Sequence, residues 1–227
     1  MAYEELKKNN VSAENQLGGR ALISYINPEG KGRRVLFVGN SITLHSPKAD
    51  IGWSYNWGMA ASAEEKDYVH LMANAIGGDA AFCVCQAADW ERGYKNPHCL
   101  LPLAEARDFG ADVVVLRLVE NCIHRDIDLA AELPIFEKAY GELVEFLTPR
   151  AKTVILTTGF WPHPLDAAIR ACAEKKGLPL VELGDLGMKD EMKAVGLFWH
   201  SGVANHPGDL GMAEIARRIL EKIPAEE

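Results

Sequence analysis

A chain of 227 residues is long enough to bury a full core as one domain, and length alone is only a soft argument against two. Hydrophobic content of 48% beside 25% charged residues is ordinary for a globular protein. A net charge of −8 excludes the basic footprint of a nucleic-acid binder and favours solubility without naming a partner.

No run of residues is apolar and long enough to cross a bilayer, so no membrane association is expected. The start, Met1-Ala2-Tyr3-Glu4-Glu5-Leu6-Lys7-Lys8, is charged from its fourth residue and lacks the apolar centre of a signal peptide. Cys83, Cys85, Cys99, Cys122 and Cys172 are odd in number and match no zinc spacing. They read as thiols kept reduced in a cytosol, which makes a cytoplasmic location the expectation.

Residues 1–30 are polar and glycine-spotted, with a β-like piece at 21–26. They read as an N-terminal extension packed onto the domain and as a candidate contact in a homo-oligomer. The domain proper occupies 31–227. Its first core strand, 33–39, is followed at 44–58 by a loop rich in aromatic and turn residues. Val69, Met72, Ala73 and Ile76 recur at helical spacing and predict a helix over 62–76. Strands are predicted at 80–86 and 112–118, then a long helix over 132–147 with Pro134 in its first turn, where a missing N–H does no harm. A strand at 153–158, a helix over 165–176 stopped by Gly177, a short strand at 180–183 and a helix over 208–222 complete the chain. Strands alternating with helices at this spacing predict a three-layer α/β/α sandwich around a mostly parallel, five-stranded sheet.

Chemistry concentrates at three strand ends. Val35 to Val38 form a fully apolar strand that stops at Gly39-Asn40-Ser41, and this delivers a serine to the rim where open α/β sheets place their sites. The plainer alternative is a strand-to-helix turn capped by Ser41. The strand at 112–118 exits into Val119-Glu120-Asn121-Cys122, with a carboxamide just past its end. His206-Pro207 sits in the loop entering the last helix. A hydroxyl, an amide donor and an imidazole on one rim are the parts acyl transfer needs.

With these residues the chain resembles the SGNH hydrolase superfamily, the GDSL-type esterases and lipases. Gly39-Asn40-Ser41-Ile42-Thr43 matches the first family block, Gly-Asp-Ser followed by Ile-Thr, with asparagine in place of aspartate. Val119-Glu120-Asn121-Cys122 matches the third, Gly-x-Asn-Asp, in its asparagine alone. Val203-Ala204-Asn205-His206-Pro207 matches the fifth, Asp-x-x-His-Pro, with valine where the acid stands. The second block, which supplies a glycine N–H, is not cleanly present; its place is at 86–91, or as late as Gly93.

The resemblance implies the flavodoxin-like strand order 2-1-3-4-5, which sets the ends of the first and third core strands side by side. It implies a serine esterase acting on a small-molecule ester, with Ser41 as nucleophile and His206 as base. The Ser41 N–H, the Asn121 side chain and a backbone N–H within 88–93 would hold the oxyanion. Val203 cannot accept the imidazole Nδ1–H. A main-chain carbonyl near Gly202 or Val203 could do so, Asp185 or Glu182 could reach in, or catalysis has been lost; the carbonyl is the favoured reading because it is always available at that loop. The second functional reading is therefore an impaired relative that binds a carbohydrate or acyl ligand, and a third is a flavodoxin-like domain using the rim for a nucleotide.

Trp53, Tyr55 and Trp57 either offer flat faces for a sugar ring or, as the somewhat better-supported reading, plug their loop against the helix at 62–76. Trp90, Trp161 and Trp199 are also expected near this rim, which tilts the substrate toward a short acyl or acetyl group on a carbohydrate or small metabolite. His200 reads as a capping or surface residue before a partner for His206. Asp89 and Glu91 read either as substrate contacts or as ion-pair partners for Arg92 and Arg117, worth little where exposed, and Glu120 as a residue that shapes the pocket or repels anionic substrates. His45, His70, His98, His124 and His163 lack the paired spacing of a metal site, and neither Walker nor Gly-x-Gly-x-x-Gly patterns occur, so no metal or cofactor is expected.

Overall fold

The computed structural model of the chain describes residues 21–122 and 128–225. Of the sequence expectations, the extension's residues 1–20 and His124 lie outside the described residues. The strands are β1 (Leu22–Ile26), β2 (Arg34–Gly39), β3 (Ala81–Gln86), β4 (Val113–Arg117), β5 (Thr153–Thr157) and β6 (Leu180–Val181). The helices are α1 (Tyr68–Ile76), α2 (Ala88–Gly93), α3 (Ala104–Asp108), α4 (Leu129–Leu147), α5 (Asp166–Lys176), α6 (Ser201–Ala204) and α7 (Asp209–Leu220). Helices cover both faces of one sheet in the order β1-β3-β2-β4-β5-β6.

Side chains alternate across each strand, and both faces are dry. Leu36, Val38, Cys83, Cys85, Val114 and Leu116 face a core built with Trp90, Phe136, Tyr140, Ile169 and Cys172. Val35, Phe37, Phe82, Val84, Val113 and Val115 face the opposite one, filled by Tyr68, Met72, Met212 and Ile215. That two-sided burial is why the strands read as unbroken apolar runs.

The five core strands follow the 2-1-3-4-5 order. A sixth is added, since the β-like piece at 21–26 pairs antiparallel with β3, from Leu22 opposite Gln86 to Ile26 opposite Phe82. It covers an edge that would otherwise present unpaired N–H and C=O groups. Leu22–Ile26 is thus a strand of the sheet itself. Two helix boundaries also moved, each for a local reason. Helix α1 starts at Tyr68 because the buried Asp67 caps it, accepting from the His70 amide at 2.8 Å and also from Gly58 N at 2.9 Å. Helix α4 starts at Leu129, where Asp128 accepts from the Ala130 amide at 3.0 Å; Pro134 therefore lies beyond the first turn.

The central strand β2 pairs in parallel with β3 on one side and β4 on the other, with Gly39 opposite both Gln86 and Arg117. The connection reverses here, so the crevice at the topological switch point opens at the end of β2.

Candidate active site

Beyond Gly39 the chain turns sharply. A Cβ at that position would fall 1.8 Å from Thr43 Oγ1 and 3.1 Å from Arg117 O, so the turn requires glycine. The Asn40 carbonyl accepts from both Thr43 N at 2.9 Å and Leu44 N at 3.0 Å. No helix follows directly, so Ser41 caps none. It is half-buried, and its Oγ lies 2.8 Å from His206 Nε2.

His206 follows the single turn of α6. Its Nδ1 is 2.6 Å from the Gly202 carbonyl oxygen. A carbonyl can only accept, so Nδ1 carries the proton and Nε2 is left bare to accept the Ser41 hydroxyl. Trp161 stands edge-on to the imidazole, with ring centroids 5.6 Å apart. Burial pushes His206 down to about 4, against the opposing pull of its Gly202 bond and of Glu120.

The alternative orienting acids are engaged elsewhere. Asp185 bonds Arg218 and Lys189, and Glu182 bonds Arg170. Val203 does not point at the imidazole. It is fully buried in a small cluster with Trp53, Met59, Ala60 and Ala194 that clamps the loop at 44–58 onto the segment carrying His206.

Between the ends of β2 and β4 lies a buried polar network that the sequence reading undervalued. Arg117, fully buried, donates through Nη1 to Glu120 Oε1 at 2.5 Å and through Nη2 to Asn40 Oδ1. Asn40 Nδ2 in turn approaches Glu120 Oε2 at 2.5 Å and Glu91 Oε1 at 2.9 Å. An aspartate at position 40 would set a third carboxylate against these two, which explains the departure from Gly-Asp-Ser. Glu91 Oε1 also accepts from Val119 N at 2.5 Å, while Oε2 accepts from Asn121 Nδ2 at 2.6 Å. Burial and the charge of Glu120 raise Glu91 to about 7. Glu120, though burial pushes the other way, is held below its ordinary value by Arg117.

The stretch at 88–93 was expected to offer a backbone N–H. What it sends into this network is the Glu91 side chain, and the Ala88 amide bonds Gln86 Oε1 at 3.2 Å. Glu91 and Arg117 are therefore far more than the weak surface pairs they resemble in sequence. The signal that could have found them is Arg117 itself, a cation closing the otherwise apolar strand Val113–Arg117, which demands a buried carboxylate partner.

The tryptophans divide. Trp90 belongs to the core with Tyr94, Phe136 and Tyr140, away from the rim. Trp53 is fully buried and packs on Val203 and Ala194; the plug is toward this segment instead of α1 alone. Tyr55 stays 43% exposed, stacked on Trp57 at 4.2 Å, and Trp199 is 74% exposed over Gly52 of the same loop. Among the described residues no three His, Cys, Asp or Glu side chains gather as a metal site. No described helix is long and apolar enough to cross a membrane.

No protein-family model matches the sequence, and no curated protein matches it. In three dimensions the chain is similar to a catalytic mutant of an acetylxylan esterase from Geobacillus stearothermophilus, at 17% identity and a TM-score of 0.54, over 87% of this chain and 96% of that one. It is also similar to a member of the lipolytic G-D-S-L family from Veillonella parvula, at 13% identity and a TM-score of 0.51, over 84% of this chain and 97% of that one. This chain has the SGNH hydrolase fold. The SGNH hydrolase fold explains why residues as distant as Asn40 and Asn121 meet on one carboxylate: β2 and β4 are neighbours in the sheet, and both chains leave it at the same end.

Proposed function

We propose that this chain is a serine esterase that removes a short acyl group, acetyl above all, from a carbohydrate or small metabolite through a Ser41–His206 dyad. One observation carries the reading: a hydroxyl, an imidazole and a carbonyl in line, with 2.8 Å from Ser41 Oγ to Nε2 and 2.6 Å from Nδ1 to Gly202 O. Ser41 Oγ attacks the ester carbonyl while the bare Nε2 takes its proton. The carbonyl oxygen becomes an oxyanion held by the Ser41 amide and by the Asn121 N–H not engaged with Glu91. The intermediate collapses, the C–O bond to the alcohol breaks, and Nε2–H protonates the leaving alkoxide. Water, deprotonated by His206, then attacks the acyl-serine, releasing the acid and restoring the hydroxyl.

Gly202 keeps the productive tautomer, as a carboxylate would. It adds no full negative charge beside the imidazolium, so the dyad forgoes about 1–3 kcal/mol of charge-assisted hydrogen bonding, a slowing of roughly 5- to 160-fold. The Trp161 edge against His206 favours a small acyl group, and the exposed Trp199 and stacked Tyr55 suit a sugar face. The acetylxylan esterase among the similar structures points the same way.

The test is labelling with a fluorophosphonate probe, followed by peptide mapping and by rates on aryl esters of increasing acyl length. Labelling at Ser41 with acetate preferred over octanoate is expected. Folded protein that neither labels nor turns over any ester refutes the esterase. On acetylated xylo-oligosaccharides, Trp199→Ala is expected to raise KM several-fold while leaving the rate on an aryl acetate unchanged; equal KM values exclude Trp199 from sugar contact.

A further inference from the structure

Glu91 sits fully buried between two parts of the chain that the proposed reaction needs together, and N–H groups from Asn40, Val119 and Asn121 donate to its carboxylate. Oε1 receives Asn40 Nδ2 at 2.9 Å, Val119 N at 2.5 Å and Asn121 N at 3.4 Å; Oε2 receives Asn121 Nδ2 at 2.6 Å. A carboxylate only accepts, so it fixes which end of the Asn121 carboxamide faces it. Arg92 Nη2, 3.4 Å from Asn121 Oδ1, holds the other end. One N–H of the carboxamide is thereby spent on Glu91, and the second is left over.

Val119 adds an independent sign. It occupies the position of the glycine in the Gly-x-Asn-Asp block, and its φ of 155° is a conformation that a β-branched residue rarely adopts. The Glu91 bond to its amide is one of the contacts that hold this backbone in place.

We infer that Glu91 is the positioning residue of the oxyanion hole, tying the Ser41 turn through Asn40 to the Asn121 carboxamide and aligning the remaining Asn121 N–H for the substrate oxygen. The inference rests on the esterase reading above. Glu91 lies in the stretch where the second block is not cleanly present, and its side chain orients a donor. Protonation would undo it, because the oxygen that gains a proton gives up an acceptor site and at least one of the four bonds breaks. The titratable and charged groups facing Glu91 are Glu120 and Arg117 at the end of β4, Cys122 beyond it and Tyr140 on α4, while Arg92 and Asp89 on its own helix pair with each other at the surface. Burial keeps the Cys122 thiol and the Tyr140 phenol neutral, which leaves Glu120 as the charge that opposes ionisation of Glu91.

The experiment compares Glu91→Gln, Asn121→Ala and the double variant on an aryl acetate. Each single change is expected to lower kcat about 100-fold with KM within twofold, and the double variant to be no slower than either single. A double variant slowed by the product of the two, about 10⁴-fold, overturns the inference, as does a Glu91→Gln protein as fast as wild type. The second readout needs no change at Glu91. The wild-type rate should fall as pH drops through about 7, where Glu91 takes up its proton, and Asn121→Ala should lose that limb and fall only nearer 4, where His206 protonates. An acidic limb unchanged in Asn121→Ala assigns Glu91 a purely structural role. A wild-type chain without any esterase activity removes the parent reading and this one together, whereas the additive result removes this one alone.

Discussion

Replacing Ser41 by alanine is expected to lower kcat for ester hydrolysis by about 10⁵- to 10⁶-fold, leaving only what an oxyanion hole does for attack by water. The loss should come without unfolding. Ser41 is half-buried, its hydroxyl bonds His206 Nε2, and the turn that carries it is held by backbone bonds to Asn40 O. A change of stability within about 0.5 kcal/mol is expected from so small a truncation. Thermal melting and kcat measured on the same preparation check both halves. Turnover that survives in Ser41→Ala would move the nucleophile elsewhere.

Val203→Asp, the substitution that would rebuild the family's Asp-x-x-His-Pro pattern in sequence, is expected to destabilise the protein by about 3–5 kcal/mol and not to accelerate it. The side chain at 203 is fully buried against Trp53, Met59, Ala60 and Ala194, with no cation in the cluster to pair a carboxylate. The Nδ1 proton that such an aspartate would accept is already given to Gly202 at 2.6 Å. The penalty should depend on pH. An aspartate in that cluster has its folded-state pKa raised above the unfolded value, so the destabilisation is small in acid, grows as pH rises past about 4, where the unfolded chain ionises, and is complete above the folded-state pKa. Urea unfolding at pH 4 and pH 8 measures it. A variant as stable as wild type and faster on esters would show that position 203 can reach the imidazole after all.

The two substitutions separate what the motif says from what the packing says. Ser41 and His206 stand in recognisable surroundings, a serine after Gly-Asn and a histidine before proline, because those local frames depend on the chain immediately around them. Glu91 had no such frame. It reads as one charge among the alternating Asp89, Glu91 and Arg92, and only its burial beneath the ends of two strands sets it apart. Trp90 misled for the same reason: one residue away on the same short helix, its ring turns into the core with Phe136 and Tyr140. The loop tryptophans were legible as a class, whereas their division into a buried clamp, Trp53, and an exposed face, Trp199, was not.

From the sequence alone came the sandwich, its apolar core strands, and the hydroxyl, imidazole and carboxamide at their ends, because apolar period and glycine turns act over a few residues and leave local marks; the order of those strands was implied by the resemblance to the SGNH hydrolases. That the β-like piece at 21–26 joins the sheet as a sixth strand escaped, since edge pairing is a choice of partner, made here by the open edge of β3. Only the tertiary structure decided that Gly202 stands behind His206, that Val203 faces Trp53, and that Asn40, Glu91, Arg117 and Glu120 share one buried network. Hydrogen bonds and ion pairs in a dry interior are settled by which groups the sheet brings within about 3 Å of each other, and that distance is not encoded at any one stretch of the chain.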